Sequence, residues 1–457
     1  MRRSVLPLVI LAGLPGCSGP PALPEAPNVV LITLDTLRAD HLGCYGYFRD
    51  TSPRLDRFAR ESLLFERCLT PIATTFPSHV SLLTATYPDA HGISGNVGDG
   101  GTSFEPTERL RSLAQILQDH GYATAGFISA TPVKKYTGIA VGFDRFDAPG
   151  RGQRTAAATN EAVFPWLAKE AHEPFFLWVH YFDPHSPYDP PAEFRAMFRA
   201  DELDDLLAER RVELEKHFPD SPDLSVRDAV NLYDGEIRFL DQEIGKLLDR
   251  LSDDDDAWER TVVVIVGDHG EGLGQHDDMT HGGIWREQLR VPLLVRIPGR
   301  DGRRIEERVS TVDVLPMVLG LVDLPGREEI LAQAGGVDRL DPDAPPAPIV
   351  SRESDAGYRA QDGIKEPRQT ILSGRWKLVH DPEGEDLLFD LEEDPFELAS
   401  VLGEQPDTAA ALRTHLLSEL ARQGARYEFF YGDSAEGGNV SVDEETLQQL
   451  RSLGYAD

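Results

Sequence analysis

The sequence predicts an α/β fold: a mainly parallel sheet flanked by helices, with a small antiparallel unit near the C-terminus. Three observations carry that prediction. Unbroken apolar runs at residues 29–34, 175–181 and 261–266 have the pattern of strands buried on both faces. Segments with helical periodicity separate these runs, as the crossovers of a parallel sheet require. Residues 370–391 alternate in short pieces instead, which fits antiparallel strands.

The first run ends in Asp35, so a carboxylate reaches the C-terminal edge of the sheet, where open α/β sheets gather ligands. Ser52-Pro53 opens a helix through about residue 65, with proline at its first position. A hydroxyl-rich turn then breaks at Pro77 and leads into an apolar-periodic segment, placing Thr75 at or just before a helix N-terminus. Helices are expected over 107–119, stopped by Gly121, and over 155–171, with a strand at 123–129 between them. The 175–181 run ends in Asp183-Pro184-His185-Ser186-Pro187-Tyr188. A charged helix is expected at 202–217, and a long amphipathic one at 225–251 through Tyr233, Ile237, Leu240, Ile244 and Leu248. The acidic run 253–256 reads as a solvated loop with no metal role. The most β-branched run, 261–266, finishes at Gly267-Asp268-His269-Gly270-Glu271, and a further strand is expected at 291–297. Pro, Gly and Asp dominate 326–348, which reads as a connection between a 28–325 unit and a 349–402 sheet subdomain. The 403–457 tail carries helices at 407–422 and 444–453.

Lys and Arg number 45 against 78 Asp and Glu in 457 residues, a net charge of −33. That balance argues against nucleic acid as a partner, because binding it needs basic patches. An anionic substrate then needs local positive charge, most simply a metal ion. The N-terminus reads as an address. Arg2 and Arg3 precede an apolar run at 5–14, too short to span a bilayer, and Leu14-Pro15-Gly16-Cys17 follows. This resembles a bacterial lipoprotein signal over residues 1–17, with a plain secretory signal as the alternative. Residues 18–27, rich in Pro and Gly, are then a linker. The expected location is the bacterial cell envelope, the periplasm, with membrane contact only through an N-terminal lipid anchor. Cys44 and Cys68 remain, either as a disulfide or as small buried hydrophobes.

If the strand ends meet, Asp35, Asp183 with His185, and Asp268 with His269 converge beside Thr75. Free N–H groups and the helix dipole at such a terminus favour a phosphate or sulfate. A threonine hydroxyl is a poor nucleophile near neutral pH, and a divalent cation is one way to activate it. Asp35, Asp268 and His269 with Thr75 make a mixed oxygen and nitrogen set suited to zinc or manganese; calcium prefers oxygen alone. His185 and His281 could bind a second metal, hold the anion, or protonate the leaving oxygen. Taken singly, each has a duller reading: Asp35 as a turn former, Thr75 as a helix cap, His185 as a turn stabiliser, His276 as a solvated loop residue. Glu271 reads as a supporting partner and Arg38 as a structural or site-edge residue.

The chain resembles the sulfatase family of the alkaline-phosphatase-like superfamily over residues 28–402. The resemblance rests on NVVLITLDTLRADHLGCYGY, TSPRLDRFARES, TFPSHVSLLTATYP, HYFDPHSPYDPP, YDGEIRFLDQEIGKLL, VIVGDHGEGLGQH and WKLVHDPEGEDLLFDLEEDPFEL, in that order. It implies an alkaline-phosphatase-like sheet and metal-dependent hydrolysis of an anionic ester. The departures decide what else carries over. Family sulfatases place a Cys or Ser, oxidised to formylglycine, ahead of x-Pro-Ser-Arg; here Thr75-Phe76-Pro77-Ser78-His79 stands, and threonine cannot become formylglycine. The usual second aspartate is Thr36, and Gly126-Phe127-Ile128-Ser129 replaces the segment that grips sulfate in many members. Phosphoesterases and phosphoethanolamine transferases of the superfamily use a Thr nucleophile on zinc, and their Glu-Thr-x-Arg-Ala-Asp is similar to Asp35-Thr36-Leu37-Arg38-Ala39-Asp40. This likeness implies Asp35, Thr36, Thr75, Asp268, His269 and His281 as metal ligands, and Thr75, His185 and His281 as catalytic groups. The expected function is hydrolysis of sulfate or phosphate esters. Transfer of a phospho-group to an envelope lipid or glycan is the alternative, against which the chain lacks the membrane helices of the transferases.

Overall fold

The computed structural model describes residues 26–97, 102–198, 225–354 and 366–432. The expected signal, most of its linker and the 202–217 and 444–453 helices lie outside the described residues. Nine strands form the main sheet: β1 (Asn28–Leu34), β2 (Leu63–Leu69), β3 (Ala123–Phe127), β4 (Arg145–Asp147), β5 (Phe175–Tyr181), β6 (Thr261–Gly267), β7 (Arg290–Val291), β8 (Leu293–Arg296) and β9 (Arg303–Ser310). Their order is β4-β3-β5-β1-β6-β8-β2-β7, with β9 beside β2. From β4 through β6 every pairing is parallel; β8 and β7 enter antiparallel.

The apolar runs are continuous because the sheet is covered twice. Alternate side chains of β1, β5 and β6 face opposite layers. Val29, Leu31, Phe176, Trp178, Val262 and Val264 pack with Phe76 and Val80 of the Thr75–Thr84 helix and with the Val314–Val322 helix. Val30, Ile32, Leu34, Leu177, Val179, Val263 and Ile265 pack against the Pro53–Arg60, Ala156–Lys169 and Val226–Leu251 helices. Each such side chain stabilises the fold by about 1.5–3 kcal/mol when removed from water. The register matters most for the site. Leu34 stands opposite both Tyr181 and Gly267, so Asp35 and Asp268 emerge side by side at one edge.

A second sheet, β10 (Ile349–Arg352), β11 (Gln369–Ser373), β12 (Trp376–His380) and β13 (Leu387–Asp390), is antiparallel in that order. It meets the first through a bridge between Ile72 and Arg352. The Pro406–Tyr431 helix packs on it and runs nine residues beyond the 422 expected from sequence (431 − 422).

Several elements differ from the sequence expectation. The helix opened by Ser52-Pro53 stops at Arg60, not near residue 65, because Leu63, Leu64 and Phe65 are drawn into the core as strand β2. The helix expected over 107–119 begins only at Leu113, where Ser112 and Gln115 form a reciprocal capping box. Pro292 splits the 291–297 strand into β7 and β8. Cys44 and Cys68 are both free thiols, and Cys68 packs in the core as a small hydrophobe.

Candidate active site

Thr75 is the first residue of the Thr75–Thr84 helix and is fully buried. No side chain of the preceding residue caps that terminus; instead Asn96 Oδ1 accepts from Phe76 N at 3.0 Å. No acidic residue lies in the first turn, so the positive end of the helix dipole is left facing the site. Thr75 Oγ1 lies 3.4 Å from His269 Nε2. His269 Nε2 is 3.7 Å from Asp35 Oδ1 and 3.6 Å from Asp268 Oδ2.

The donor set fits a divalent cation on five counts. Both oxygens of Asp35 and Oδ2 of Asp268 are buried without a hydrogen-bond partner among the described residues. Asp268 Oδ1 accepts from Thr36 N at 3.2 Å and His269 N at 2.6 Å, which aims Oδ2 at the gap. His269 donates its Nδ1 hydrogen to Gly270 O at 2.9 Å, so Nε2 presents a lone pair. Burial pushes the Asp35 and Asp268 carboxyls well above the usual range, and for Asp268 the neighbouring Asp35 charge adds to it. A positive charge among these groups removes that penalty. Asp35, Asp268 and His269 bring one ligand atom each within 4.8 Å of one another.

A second grouping of this kind, His79, His180 and Asp268, is differently disposed. His79 donates from Nδ1 to Thr75 O at 2.7 Å and accepts at Nε2 from Thr33 Oγ1 at 3.0 Å, while Trp178 Nε1 donates to the same hydroxyl at 3.0 Å. Both imidazole nitrogens are therefore engaged, Nδ1 with the Thr75 carbonyl and Nε2 with the Thr33 hydroxyl. His180 Nδ1 accepts from Ser129 N at 3.4 Å, leaving its Nε2 toward Asp35 Oδ2 at 3.5 Å. Burial holds His180 neutral, down to about 3, and it also pulls His79, His185 and His269 well below the usual histidine value.

His281 is the exception. Burial opposes its charge, but Glu271, then Asp35 and Asp268, outweigh burial and raise its pKa. Its Nδ1 lies 3.3 Å from Glu271 Oε1, and Tyr188 donates to the other Glu271 oxygen at 3.2 Å. Its ring stands 4.5 Å from His269 and 5.2 Å from His185. His185 donates Nδ1–H to Ser186 O at 2.5 Å and stacks on Phe182.

A family model described as Sulfatase matches residues 27–324. The chain belongs to the sulfatase family. It is 27% identical over 425 residues to the ulvan-active sulfatase of Formosa agariphila, covering 83% of this chain and 78% of that protein. It is 23% identical to an arylsulfatase of Clostridium perfringens, covering 86% and 94%. The crystal structure of the phosphonate monoester hydrolase of Agrobacterium radiobacter matches with a TM-score of 0.69 at 22% identity, over 87% of this chain and 96% of that one, a likeness of fold. The chain is thus a sulfatase-like ester hydrolase of the alkaline-phosphatase-like superfamily.

Within this sulfatase fold the sequence-predicted groups separate into two sets. Asp35, Thr75, Asp268 and His269 come together, with His281 and His185 alongside. Thr36 and His281 stand outside the three-residue ligand grouping. Thr36 adopts φ 52°, strained for a β-branched residue, with Tyr233 Oη donating to its carbonyl at 2.7 Å. Asp183 does not face the site: it accepts from Ala156 N at 2.7 Å and so caps the N-terminus of the Ala156–Lys169 helix, which precedes β5 in the chain. His276 is not a solvated loop residue, since it stacks on Trp285 at 4.1 Å and pairs with Glu287 at 2.8 Å. Arg38 is buried, tied to Asp40 and to the Glu271 carbonyl, a brace for the loop. Gly270 allows close approach there, as a Cβ would lie 2.0 Å from Glu287 O. His79, His180 and Asn96 were missed by sequence reasoning. His180 could have been found as the one polar imidazole inside an otherwise apolar and aromatic run.

Proposed function

We propose that this chain hydrolyses a sulfate or phosphate ester with Thr75 as nucleophile and a divalent cation held by Asp35, Asp268 and His269. The observation that carries the reading is the convergence of Thr75 Oγ1, the unpartnered oxygens of Asp35 and Asp268, and His269 Nε2 at one buried point at a helix N-terminus. A bound cation would supply positive charge that lowers the pKa of the Thr75 hydroxyl and draws an anionic ester into an acidic protein. The mixed oxygen and nitrogen donors suit zinc or manganese better than calcium.

The chain's own residues do the rest. Thr75 Oγ gives up its proton to solvent and attacks sulfur or phosphorus in line. The bond to the leaving oxygen breaks, and that oxygen keeps the electron pair and takes a proton from His281 Nε2. Glu271, bonded to Nδ1, keeps the His281 imidazolium formed and oriented. His79 fixes the Thr75 carbonyl, and with it the angle of attack. His185, with its Nδ1 proton on Ser186 O, presents Nε2 as an acceptor beside the His281 ring. Water then attacks the esterified threonine, releasing sulfate or phosphate and restoring the hydroxyl. Threonine has no route to formylglycine, so its own oxygen replaces that chemistry. The resemblance of residues 1–17 to an export signal supports a cell-envelope location for this reaction.

The test is a panel of para-nitrophenyl sulfate, para-nitrophenyl phosphate and bis-para-nitrophenyl phosphate with zinc- or manganese-loaded protein. Nitrophenolate release from at least one ester, lost on chelation, is expected. No release from any ester at full metal content contradicts the reading.

A further inference from the structure

We propose that Gln153 and Arg154 form a second oxyanion subsite, one that receives an acidic group of the substrate distinct from the ester being cleaved. The proposal rests on the hydrolase reading above and identifies what that site selects.

The loop after β4 returns to the catalytic edge of the sheet at Arg154, whose backbone N–H donates to Ser129 O at 3.0 Å. Its guanidinium is anchored at one end only: Nη1 donates to Asp147 Oδ1 at 2.6 Å. Nε and Nη2 are both buried and have no acceptor among the described residues, although the side chain as a whole is only 13% exposed. These two nitrogens make the side-on edge of the guanidinium, whose parallel N–H bonds match the two oxygens of a carboxylate, sulfate or phosphate. Nε2 of Gln153, the preceding residue in the chain, is also buried without an acceptor among the described residues. Buried donors are almost always satisfied, so several together without acceptors point to a ligand rich in oxygen. Asp147 offsets part of the guanidinium charge from the far end, so recognition at the free edge rests on its paired N–H geometry.

Its position relates it to the site. Ser129 carries both Arg154, through its carbonyl, and His180, through its N–H and its hydroxyl. Arg154 is close enough to lower the pKa of His180, whose Nε2 looks onto Asp35. β3 and β1 flank β5, so Ser129, which holds the Arg154 backbone, and Asp35 leave the sheet two strand spacings apart, roughly 10 Å. That separation fits a substrate with two anionic groups about one sugar ring apart, the ester at Thr75 and a carboxylate, sulfate or phosphate at Arg154. The Thr131–Val133 turn, which donates from Thr131 Oγ1 to Gly152 O, closes the loop from behind.

The test uses two para-nitrophenyl-type esters that differ only in a carboxylate on a short alkyl arm. Binding is measured by calorimetry on metal-loaded Thr75→Ala protein, so it is read whether or not the parent turns either ester over. The armed ester should bind at least tenfold more tightly than the plain one. Arg154→Lys keeps the charge and reach to Asp147 but loses the paired edge, and should bring the two within twofold. Gln153→Leu should cost the armed ester threefold or more, and its circular dichroism guards against a folding defect. Equal binding of the two esters by the Thr75→Ala protein overturns the subsite and means that only water meets these donors. An equal loss for both esters in Arg154→Lys also overturns it, since the edge would then serve the scissile ester or the loop. Failure of the Thr75 mechanism shows elsewhere, as absence of turnover with this preference intact.

Discussion

Asp268→Asn provides a demanding test of the metal assignment, because it is predicted to help the protein in one state and harm it in another. Without a cation, the Asp35 and Asp268 carboxylates face each other, fully buried, with three oxygens unpaired among the described residues. Burying an ion costs several kcal/mol, and each unit by which a carboxyl pKa is raised corresponds to about 1.4 kcal/mol. Asparagine keeps the oxygen that accepts from Thr36 N and His269 N and removes one charge. Its Nδ2 can donate to an Asp35 oxygen that is otherwise unpartnered among the described residues, and a buried unsatisfied polar group costs about 1–3 kcal/mol, so a gain of that order is expected in chelator-treated protein. With an unfolding entropy of about 2.1 cal/mol/K per residue, a domain of roughly 300 residues shifts by about 1.6 °C per kcal/mol, so Tm should rise by about 2–5 °C. Metal at a thousandfold excess over its Kd stabilises the parent by about 4.1 kcal/mol, or about 6–7 °C. The variant should lose most of that rise. Differential scanning calorimetry of both proteins, with chelator and with zinc, reads all four values. A variant that melts below the chelated parent, or that keeps the full zinc-induced rise, refutes the account of these carboxylates.

Other consequences follow from single residues. His79→Leu should lower kcat at least tenfold with metal content unchanged, and cost about 1–3 kcal/mol because the Thr33 hydroxyl loses its buried acceptor; His79→Gln, which can still donate to Thr75 O, should recover part of the rate. Glu236 is pushed up to about 9, by burial and then by the Asp183 charge. A raised carboxyl pKa gives stability that is present below the unfolded value near 4.5 and lost as pH climbs toward 9. Glu236→Gln should therefore flatten the fall in Tm between pH 5 and 9, and an unchanged pH profile would contradict this. Lys377 is buried against Glu397 at 2.6 Å between the two sheets. Lys377→Met leaves a buried carboxylate without its cation and should cost about 3–5 kcal/mol in urea denaturation, most of it recovered by adding Glu397→Gln.

The catalytic edge was legible in the sequence because parallel strands covered on both faces are apolar throughout, so the first polar residue after each run marks the edge. Asp35 and Asp268 follow that rule, and the register of β1 with β6 brings them together. Asp183 follows the same rule and was misplaced. A carboxylate after a strand can equally cap a helix that precedes that strand, here Ala156–Lys169, and nothing local to residue 183 separates the two outcomes. β2 was hidden because its apolar residues continue the periodicity of the Pro53–Arg60 helix, and strand direction at β7 and β8 is not written in apolar runs at all. His79 and His180 act through partners distant in the chain, Thr33, Trp178 and Asp35, so only the folded backbone reveals them. His276 looked solvated because its stacking partner Trp285 and its carboxylate Glu287 come from the following helix start, which the loop composition conceals.

The central claim is that the Thr75 oxygen breaks the ester bond while its neighbours hold the cation, and one comparison isolates it. Turnover of the best aryl ester is measured for parent and Thr75→Ala protein brought to the same metal content and checked for equal Tm. A fall of at least a thousandfold in kcat for the alanine variant is predicted, with metal still bound by Asp35, Asp268 and His269. Turnover within tenfold of the parent contradicts the account, since another oxygen would then be the nucleophile.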